Sequence, residues 1–271
     1  MSRTVVYTDI DGTLIDAHTY SFRESEAAVH ALLQHHIPLV LCSSKTRAEQ
    51  EALRLALGIP DPFIVENGGA VYIPENYFTV PVAEARSADG WQVIELGTSA
   101  EFIRQTLAGI RRQTGLRFKG YADLSAAEVA EVTGLELSAA EQARDREYSE
   151  TIVTPLSEAD RQQLRRELEM HGLSIVSGGR FHTVMGAGGD KGKAVDFLNA
   201  LFRREFGEIH TIGLGDSAND EPLLAAVDRP YLVQRPGGVW HETSGTPVHK
   251  VAAVGPLGWR QVITAELNLR P

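Results

Sequence analysis

The stretch Val5–Thr13, which reads VVYTDIDGT, sets two aspartates, Asp9 and Asp11, directly after a run typical of a buried strand. A second stretch, Gly213–Asp220 (GLGDSAND), also follows an apolar run and supplies two further aspartates. Ligands of an open parallel sheet bind at the carboxyl ends of its strands. The two stretches, which stand near opposite ends of the chain, are therefore predicted to meet at one edge of a sheet.

Strand and helix patterns alternate in the first and last thirds of the chain. Strand patterns lie at residues 5–8, 37–42, 63–65, 210–214 and 231–233. Helical spacing lies at residues 23–35, 46–57, 191–206, 219–227 and 259–267. This alternation predicts an α/β fold, with a doubly wound and mainly parallel sheet flanked by helices.

The middle of the chain has a different pattern. Half-exposed strand alternation lies at residues 91–96, 148–154 and 180–185, and helical patterns lie at 99–113 and 157–171. These residues predict an α+β unit over residues 82–187, inserted as a cap into a core domain of residues 1–81 and 188–271. There is no internal repeat or low-complexity segment.

Composition excludes several classes of protein. The formal net charge of the 271 residues is −10, which disfavours nucleic-acid binding, and the densest basic cluster, residues 161–166, is interleaved with acids. No apolar run is long enough for a membrane span, and no secretory signal pattern opens the chain. The single cysteine, Cys42, allows no internal disulfide, so a cytoplasmic location is expected.

Carboxylates gathered in one crevice repel one another and repel a phosphate group. Mg²⁺ prefers carboxylate oxygens with open water positions, and it neutralises carboxylates and phosphoryl oxygens together. One carboxylate can then act as a nucleophile, and another as an acid and later a base. Either stretch alone is also explained by an Asp-Gly turn or a helix cap. The two together favour a magnesium-dependent phosphatase.

Other sites fit the sequence less well. Residues 187–193 nearly copy the phosphate loop of nucleotide hydrolases, but Ala187 replaces its first glycine and Ala194 its magnesium-binding hydroxyl. No phosphate-cradling loop with an arginine follows Cys42, so this residue is interpreted as a buried strand cysteine. The nine histidines show no zinc-binding spacing.

The motifs resemble those of the haloacid dehalogenase-like phosphatases. The family pattern has D-x-D-G-T early, a Ser or Thr after the second strand, a later Lys and G-D-x-x-N-D near the end. Ser43 ends the strand pattern at 37–42, and Lys191 opens a helix in Gly189–Lys193. The resemblance implies that Asp9 is the nucleophile and Asp11 the acid and base. It also implies that Ser43 and Lys191 hold the phosphoryl oxygens.

The same resemblance implies the metal site. Asp9, the main-chain carbonyl of Asp11, and Asp216 ligate Mg²⁺, while Asn219 and Asp220 lie just outside the ligands. Asp220 orients Lys191 or a metal-bound water. Members of this family that carry an insert between the serine and the lysine have an α/β cap of the second type, which closes over the phosphate and selects the leaving group.

Segments of core and cap are similar to the mannosyl-3-phosphoglycerate phosphatases of this family. The similar segments are residues 43–47 (SSKTR), 66–69 (ENGG), 146–151 (REYSET) and 178–182 (GGRFH). The resemblance implies hydrolysis of mannosyl-3-phosphoglycerate to mannosylglycerate, a compatible solute. The substrate-binding residues that it implies are Ser44, Lys45, Thr46, Glu66, Asn67, Gly68, Gly69, Glu147, Arg180 and His182.

The chemistry of that substrate suggests roles for four of these residues. Arg180 and Lys45 are expected to pair with its carboxylate. Glu147 and Glu66 are expected to accept hydrogen bonds from sugar hydroxyls. Gly68 and Gly69 mark a close backbone approach or a tight turn.

Two alternatives stay open at this point. The first is a related sugar phosphatase, acting on glucosyl-3-phosphoglycerate or on a hexose phosphate. The second is a non-catalytic phosphosugar-binding protein on the same scaffold. Neither nucleic acid nor a membrane is expected as a partner. The sequence does not distinguish a monomer from a homodimer.

Overall fold

The structure, a computed structural model, describes residues 2–178 and 181–267. Its strands are β1 (Arg3–Thr8), β2 (Leu39–Cys42), β3 (Phe63–Val65), β4 (Ala70–Pro74), β5 (Arg86–Ala88), β6 (Trp91–Glu95), β7 (Ser149–Ile152), β8 (Leu173–Gly178), β9 (Phe181–Gly186), β10 (Ile209–Gly215), β11 (Arg229–Gln234) and β12 (His249–Val254). Its α-helices are α1 (Glu26–Gln34), α2 (Arg47–Leu57), α3 (Ala100–Thr114), α4 (Ala126–Thr133), α5 (Leu137–Arg144), α6 (Glu158–Glu169), α7 (Lys191–Phe206), α8 (Glu221–Ala225) and α9 (Gly255–Glu266).

The larger sheet has nine strands in the order β12-β11-β10-β1-β2-β3-β4-β6-β5. The run from β12 to β3 is parallel, whereas β4, β6 and β5 are antiparallel to their neighbours. Strand β1 lies between β10 and β2, so the ends of these three strands are adjacent. The doubly wound, mainly parallel α/β sheet predicted from the sequence is confirmed.

Helices cover both faces of this sheet, as the continuous apolar strand patterns require. On β1, Val6 packs against the face covered by α1, α2 and α9, while Val5 and Tyr7 pack against the face covered by α7 and α8. All three side chains are buried. The strand that carries the first acidic stretch is therefore fixed on both sides.

The smaller sheet has three antiparallel strands in the order β7-β9-β8. One of its faces packs on α3 and α6 through a cluster that includes Ile103, Leu164 and Val184. A second small cluster joins α4, α5 and the short 3₁₀ helix Tyr121–Asp123. We refer to residues 98–186 as the cap.

The two segments that join the cap to the large sheet run side by side. One leaves β6 and passes through Gly97 into α3; the other leaves β9 and passes through Gly189 into α7. The carbonyl of Gly69 accepts hydrogen bonds from the Leu96 and Gly97 amides, at 3.0 and 2.8 Å. A Cβ atom at Gly97 would lie 2.9 Å from the Gly69 Cα, and one at Gly189 would lie 3.6 Å from the Gly97 Cα.

Residues 86–95 differ from the prediction that they belong to the insert of residues 82–187. Their strands, β5 and β6, pair with β4 in the nine-stranded sheet. The sequence pattern is ambiguous here because β5 is an edge strand, with Arg86 and Ser87 exposed, and β6 is buried on only part of its length. Across the described residues, every helix is too short or too polar to cross a bilayer.

Candidate active site

The two acidic stretches meet at the carboxyl ends of β1 and β10. Asp9 follows β1, and its amide donates a hydrogen bond to the carbonyl of Leu214 on β10, at 2.9 Å. Asp216 and Asp220 follow β10, and one carboxylate oxygen from each of these three aspartates lies within 4.8 Å of the others. All three aspartates are buried.

Lys191 lies at the centre of this cluster. It opens α7, whose first turn is capped by Asp190 accepting from the amide of Lys193, at 2.9 Å. The Lys191 Nζ lies 2.7 Å from Asp9 Oδ1 and 2.6 Å from Asp220 Oδ1. Burial alone would lower the pKa of Lys191, but Asp220 and Asp9 together raise it well above its usual value. The lysine is therefore a permanent cation inside the site.

One lysine does not balance three buried carboxylates. Burial and the charge of Asp220 raise the pKa of Asp9, although Lys191 opposes this shift. Burial and Asp220 likewise raise the pKa of Asp216 to about 6. Burial and the neighbouring carboxylate thus disfavour the charged forms of both aspartates.

The free oxygen atoms fit a hard divalent cation. Both carboxylate oxygens of Asp220 already accept hydrogen bonds. Oδ1 accepts one from Lys191, and Oδ2 accepts one each from the amides of Asp216 and Ser217, both at 3.0 Å. Among the described residues, no hydrogen bond reaches Asp9 Oδ2. Asp9 Oδ2 is thus available in a crowded acidic pocket, and Asp216 Oδ2, which lies 3.6 Å from Arg235 Nε, is beside it. Carboxylate oxygens are the donors that such a cation prefers.

The main chain around Asp9 is held in place by a chain of two hydrogen bonds. Trp259 on α9 donates to Thr8 Oγ1 at 3.0 Å, and that hydroxyl donates to the Asp9 carbonyl at 2.7 Å. All three residues are buried. The strand end is therefore fixed by side chains from the opposite end of the chain.

Asp11 lies at the mouth of the site, apart from the buried cluster. Its Oδ2 is 3.1 Å from Lys45 Nζ, which also contacts Glu49 Oε1 at 3.3 Å. Its Oδ1 is buried and has no hydrogen-bond partner. Lys45, which the sequence assigned to a substrate carboxylate, is in the structure paired with two carboxylates of the protein.

The loop after β2 brings further predicted residues to the site. Ser43 is buried, and its Oγ accepts from the amide of Lys45 at 3.2 Å. Ser44 lines the cavity described below, as do Asn67 and Asn219, whose side chains are joined by a hydrogen bond of 3.2 Å.

Three residues predicted to bind substrate make contacts between the core and the cap. Glu66 is buried and accepts hydrogen bonds from the amides of Glu147 (2.8 Å) and Tyr148 (3.2 Å) and from the Ser149 hydroxyl. The Glu147 carboxylate accepts from Tyr72 at 2.8 Å. Thr46 caps α2 and donates to the carbonyl of Gln142 on α5 at 2.8 Å.

Gly68 and Gly69 mark close contacts, as the sequence predicts. Gly68 has φ +97°, and a Cβ there would lie 2.2 Å from the Asp190 carbonyl oxygen, next to Lys191. A Cβ at Gly69 would lie 2.4 Å from that of Tyr148 on the cap. The turn therefore brings the core into contact with both the lysine helix and the cap.

One of the remaining two predicted residues, His182, lies on β9. Phe181 and Thr183 line the cavity, so the intervening His182 belongs to the opposite face of the strand, where burial and Arg161 lower its pKa. Arg180 lies outside the described residues.

A cavity of about 580 Å³ separates the acidic cluster from the cap. Its wall includes residues that the sequence reasoning did not single out: His18, Tyr20, Tyr121, Arg146, Thr151, Thr183 and Arg235. Arg146 and Thr151 are the first and last residues of the REYSET segment. Strand alternation within that segment was the signal that could have separated Thr151, which lines the cavity, from Glu150.

Fold and site together define a hydrolase. The chain matches the haloacid dehalogenase-like hydrolases over residues 6–235 and belongs to that family. It is 41% identical over 260 residues to a protein of Methanococcoides burtonii, covering 96% of this chain and 95% of that one. It is 34% identical over 265 residues to a protein of Persephonella marina, covering 97% of each.

Both relatives are named glucosyl-3-phosphoglycerate/mannosyl-3-phosphoglycerate phosphatase. Within its family, the protein is therefore a phosphoric monoester hydrolase. The fold is also that of the crystal structure of protein 0175 from Thermoplasma acidophilum, with a TM-score of 0.69, 19% identity and coverage of 99% of this chain and 100% of that one. The family match and the two relatives confirm the resemblance to the haloacid dehalogenase-like phosphatases.

Proposed function

We propose that the protein is a magnesium-dependent phosphatase that hydrolyses mannosyl-3-phosphoglycerate to mannosylglycerate and phosphate in the cytoplasm. The observation that carries the proposal is the buried cluster in which Lys191 Nζ lies 2.7 Å from Asp9 and 2.6 Å from Asp220, with Asp216 beside them. The names of the two relatives support the class of substrate.

Asp9 is the proposed nucleophile. Its carboxylate oxygen attacks phosphorus, the bond from phosphorus to the ester oxygen breaks, and Asp11 gives a proton to the departing alcohol. Asp11 then takes a proton from water, whose oxygen attacks the phosphorus and releases phosphate from Asp9. Lys191 opposes the rise that burial causes in the pKa of Asp9, and with Ser43 it holds the phosphoryl oxygens.

Asp9 and Asp216, with the main-chain carbonyl of Asp11, are the proposed Mg²⁺ ligands. When bound, the ion neutralises the carboxylates and polarises the phosphoryl group. Asn219 and Asp220 support this arrangement: Asp220 fixes both Lys191 and the backbone of Asp216, and Asn219 links the Asp216 loop to Asn67.

The cap is the proposed determinant of the leaving group. It closes the cavity above the acidic cluster, which excludes bulk water and strengthens the electrostatic interactions inside. Ser44, Asn67 and Thr183 lie in the wall where a sugar-glycerate would sit.

A substrate panel with free phosphate as the readout tests the function. We expect mannosyl-3-phosphoglycerate to give a kcat/KM well above those of mannose 6-phosphate and glucose 6-phosphate. A hexose phosphate that exceeds the glycerate ester would contradict the proposal.

A second candidate is the glucosyl-3-phosphoglycerate activity, which the names of both relatives include. The same panel decides between the two sugars by the ratio of their kcat/KM values. The core residues are common to both reactions, so a difference would arise in the cap.

Metal dependence is tested by chelation. Excess chelator is expected to abolish turnover, and added Mg²⁺ to restore it, because Asp9 and Asp216 otherwise repel the phosphoryl group. The thermal midpoint, followed in parallel, should rise on addition of Mg²⁺ because the ion binds only the folded cluster. Unchanged turnover and an unchanged midpoint would exclude a metal at this site.

A further inference from the structure

Arg146 is the cation that the cap contributes to the cavity. Among the described residues that line the cavity from the cap, it is the one charged side chain; its neighbours include Tyr121, Thr151, Phe181 and Thr183. Its side chain is only 8% exposed. A buried guanidinium at the wall of a cavity is costly unless something accepts its hydrogen bonds.

One end of this guanidinium is held by the protein. Nη1 donates to the Ser149 hydroxyl at 2.8 Å and to the carbonyl of Ser44 at 3.3 Å. Its Cζ lies 5.6 Å from the centre of the Tyr121 ring. These contacts fix the orientation of the side chain before any ligand arrives.

The other edge of the guanidinium has no hydrogen-bond partner among the residues that the structure describes. Nε is buried without a hydrogen bond, and none of the bonds made by the described residues involves Nη2. The nearest carboxylate oxygen, Glu66 Oε2, is 3.8 Å from Nη1 and already accepts from cap donors. Nε and Nη2 together form the edge of arginine that matches a carboxylate in two parallel hydrogen bonds.

The described core cations of the cavity wall each lie beside a carboxylate of the protein. Lys45 contacts both Asp11 and Glu49, and the Arg235 Nε lies 3.6 Å from Asp216. Among the described cap residues of the wall, Arg146 is thus the cation with hydrogen-bonding capacity to offer an anion of the leaving group.

Arg146 also lies at a suitable place along the cavity. It contacts the carbonyl of Ser44, the residue after Ser43, so it stands where the phosphoryl site meets the cap. In a 3-phosphoglycerate ester, the carboxylate carbon is separated from the phosphate-bearing carbon by a single carbon atom. A phosphoryl group at Asp9 therefore keeps the carboxylate near the boundary of core and cap.

On the basis of the phosphoglycerate specificity proposed above, we propose that Arg146 binds the glycerate carboxylate through its guanidinium and selects phosphoglycerate esters over sugar phosphates that lack the carboxylate. This assigns to Arg146 the role that the sequence gave to Lys45, which is paired within the core, and to Arg180.

The test compares two substrates that differ only in the carboxylate: mannosyl-3-phosphoglycerate and the corresponding mannosyl-glycerol phosphate. R146Q is expected to lower kcat/KM for the glycerate ester by about 10- to 100-fold, the usual effect of losing hydrogen bonds to a charged group. For the glycerol analogue, the loss should be no more than about threefold. R146K, which keeps the charge but not the paired geometry, should fall between wild type and R146Q on the glycerate ester.

Arg144 provides a matched control. It lies two residues earlier, its Nε contacts the Tyr121 carbonyl at 3.4 Å, and it is not part of the cavity wall. R144Q removes the same charge from the same segment, so the ratio of kcat/KM values for the two substrates should stay within about twofold of wild type.

Inhibition by product analogues gives a readout independent of turnover. Mannosylglycerate should inhibit wild type better than mannosylglycerol, and R146Q and R146K should reduce that preference. Equal losses on both substrates, with an unchanged inhibitor preference, would mean that Arg146 only holds the cap in place, and would overturn the inference. A wild-type enzyme that does not prefer the glycerate ester would instead contradict the proposed function. If R146Q fails to fold, R146K decides by the same comparisons.

Discussion

Lys191 shows how one residue organises the site. Its ammonium lies between Asp9 and Asp220 in a fully buried position, where an ion pair is strong only because both partners are present. The same contacts that orient the proposed phosphoryl-binding cation also keep two carboxylates together at the sheet edge. Stability and chemistry are therefore linked at this side chain.

Lys191→Met is expected to destabilise the metal-free protein by about 3–5 kcal/mol, because two buried carboxylates lose their partner. Chemical denaturation measures the change. The control is Lys193→Met on the exposed side of the same helix, which should cost less than about 0.5 kcal/mol. Similar values for both variants would show that the buried ion cluster contributes little to stability.

Asp9→Asn is expected to reduce kcat by more than about 10³-fold, since an amide cannot form the covalent intermediate. The fold should be retained, because the substitution keeps the shape and lowers the negative charge of the cluster. Single-turnover phosphate release and a thermal melt check the two parts. Retained turnover would rule out the proposed nucleophile.

Much of the site could be predicted at this scale because its residues stand in short motifs. Asp9, Lys191, Asp216 and Asp220 follow strands or open helices, and motif and geometry agree. Arg146 could not be predicted, because the choice between it and Glu147 depends on which side chain faces the cavity. Glu66 was predicted to bind sugar hydroxyls because the sequence does not show whether a carboxylate beside a site accepts hydrogen bonds from a ligand or from the cap.

At the scale of elements, the turn after β3 joins the core to both the lysine helix and the cap. Gly68→Ala is expected to cost more than about 3 kcal/mol, since a Cβ would meet the Asp190 carbonyl at 2.2 Å at a positive φ. Gly58→Ala also has a positive φ, +69°, but open space around it, so it should cost only about 1–2 kcal/mol. Denaturation curves compare the two, and equal losses would contradict the steric explanation.

Strand β7 presents Thr151 to the cavity with its hydroxyl buried and unpartnered. Thr151→Val is expected to leave stability unchanged or to raise it by about 1 kcal/mol, because the unsatisfied polar group is removed. KM for the glycosyl substrate should rise if that hydroxyl contacts the sugar. A loss of stability in the thermal melt would show that the hydroxyl has a partner in the free protein.

Elements buried on both faces could be predicted from the sequence, and those at edges could not. The apolar runs of β1 and β2 predict a covered parallel sheet, whereas β5 is short and exposed. Helices α4 and α5 have eight residues each, and their packing depends on a small cluster within the cap. Residues 86–95 were assigned to the insert because alternation alone does not say which sheet a strand joins.

At the scale of the whole molecule, the cap is docked on the core through buried hydrogen bonds. Glu66 accepts three of them from residues 147–149, and burial raises the pKa of its carboxyl group. The cap and the core thus meet through directional contacts, which specify one closed position more sharply than apolar packing alone would.

Glu66→Gln is expected to destabilise the closed state by about 1–3 kcal/mol, because one acceptor oxygen becomes a donor that faces backbone amides. Limited proteolysis should cut the cap faster, and KM should rise. Glu95→Gln is the control: Glu95 accepts from Tyr148 at 2.9 Å but is half exposed, so its effect should be under about 1 kcal/mol. Equal protease sensitivity would argue against Glu66 as the docking residue.

The two segments that join the cap to the large sheet run side by side at Gly97 and Gly189, so the cap is a module with a single point of attachment. Because the first and last residues of the cap lie close together, a short loop could reconnect the core after the whole insert is removed. For the same reason, a different insert could be placed there without distorting either end of the core. Such a scaffold can then diversify by exchange of the insert alone, while the core that carries the acidic cluster stays the same. Each new insert would have to supply hydrogen-bond donors to the buried Glu66 carboxylate.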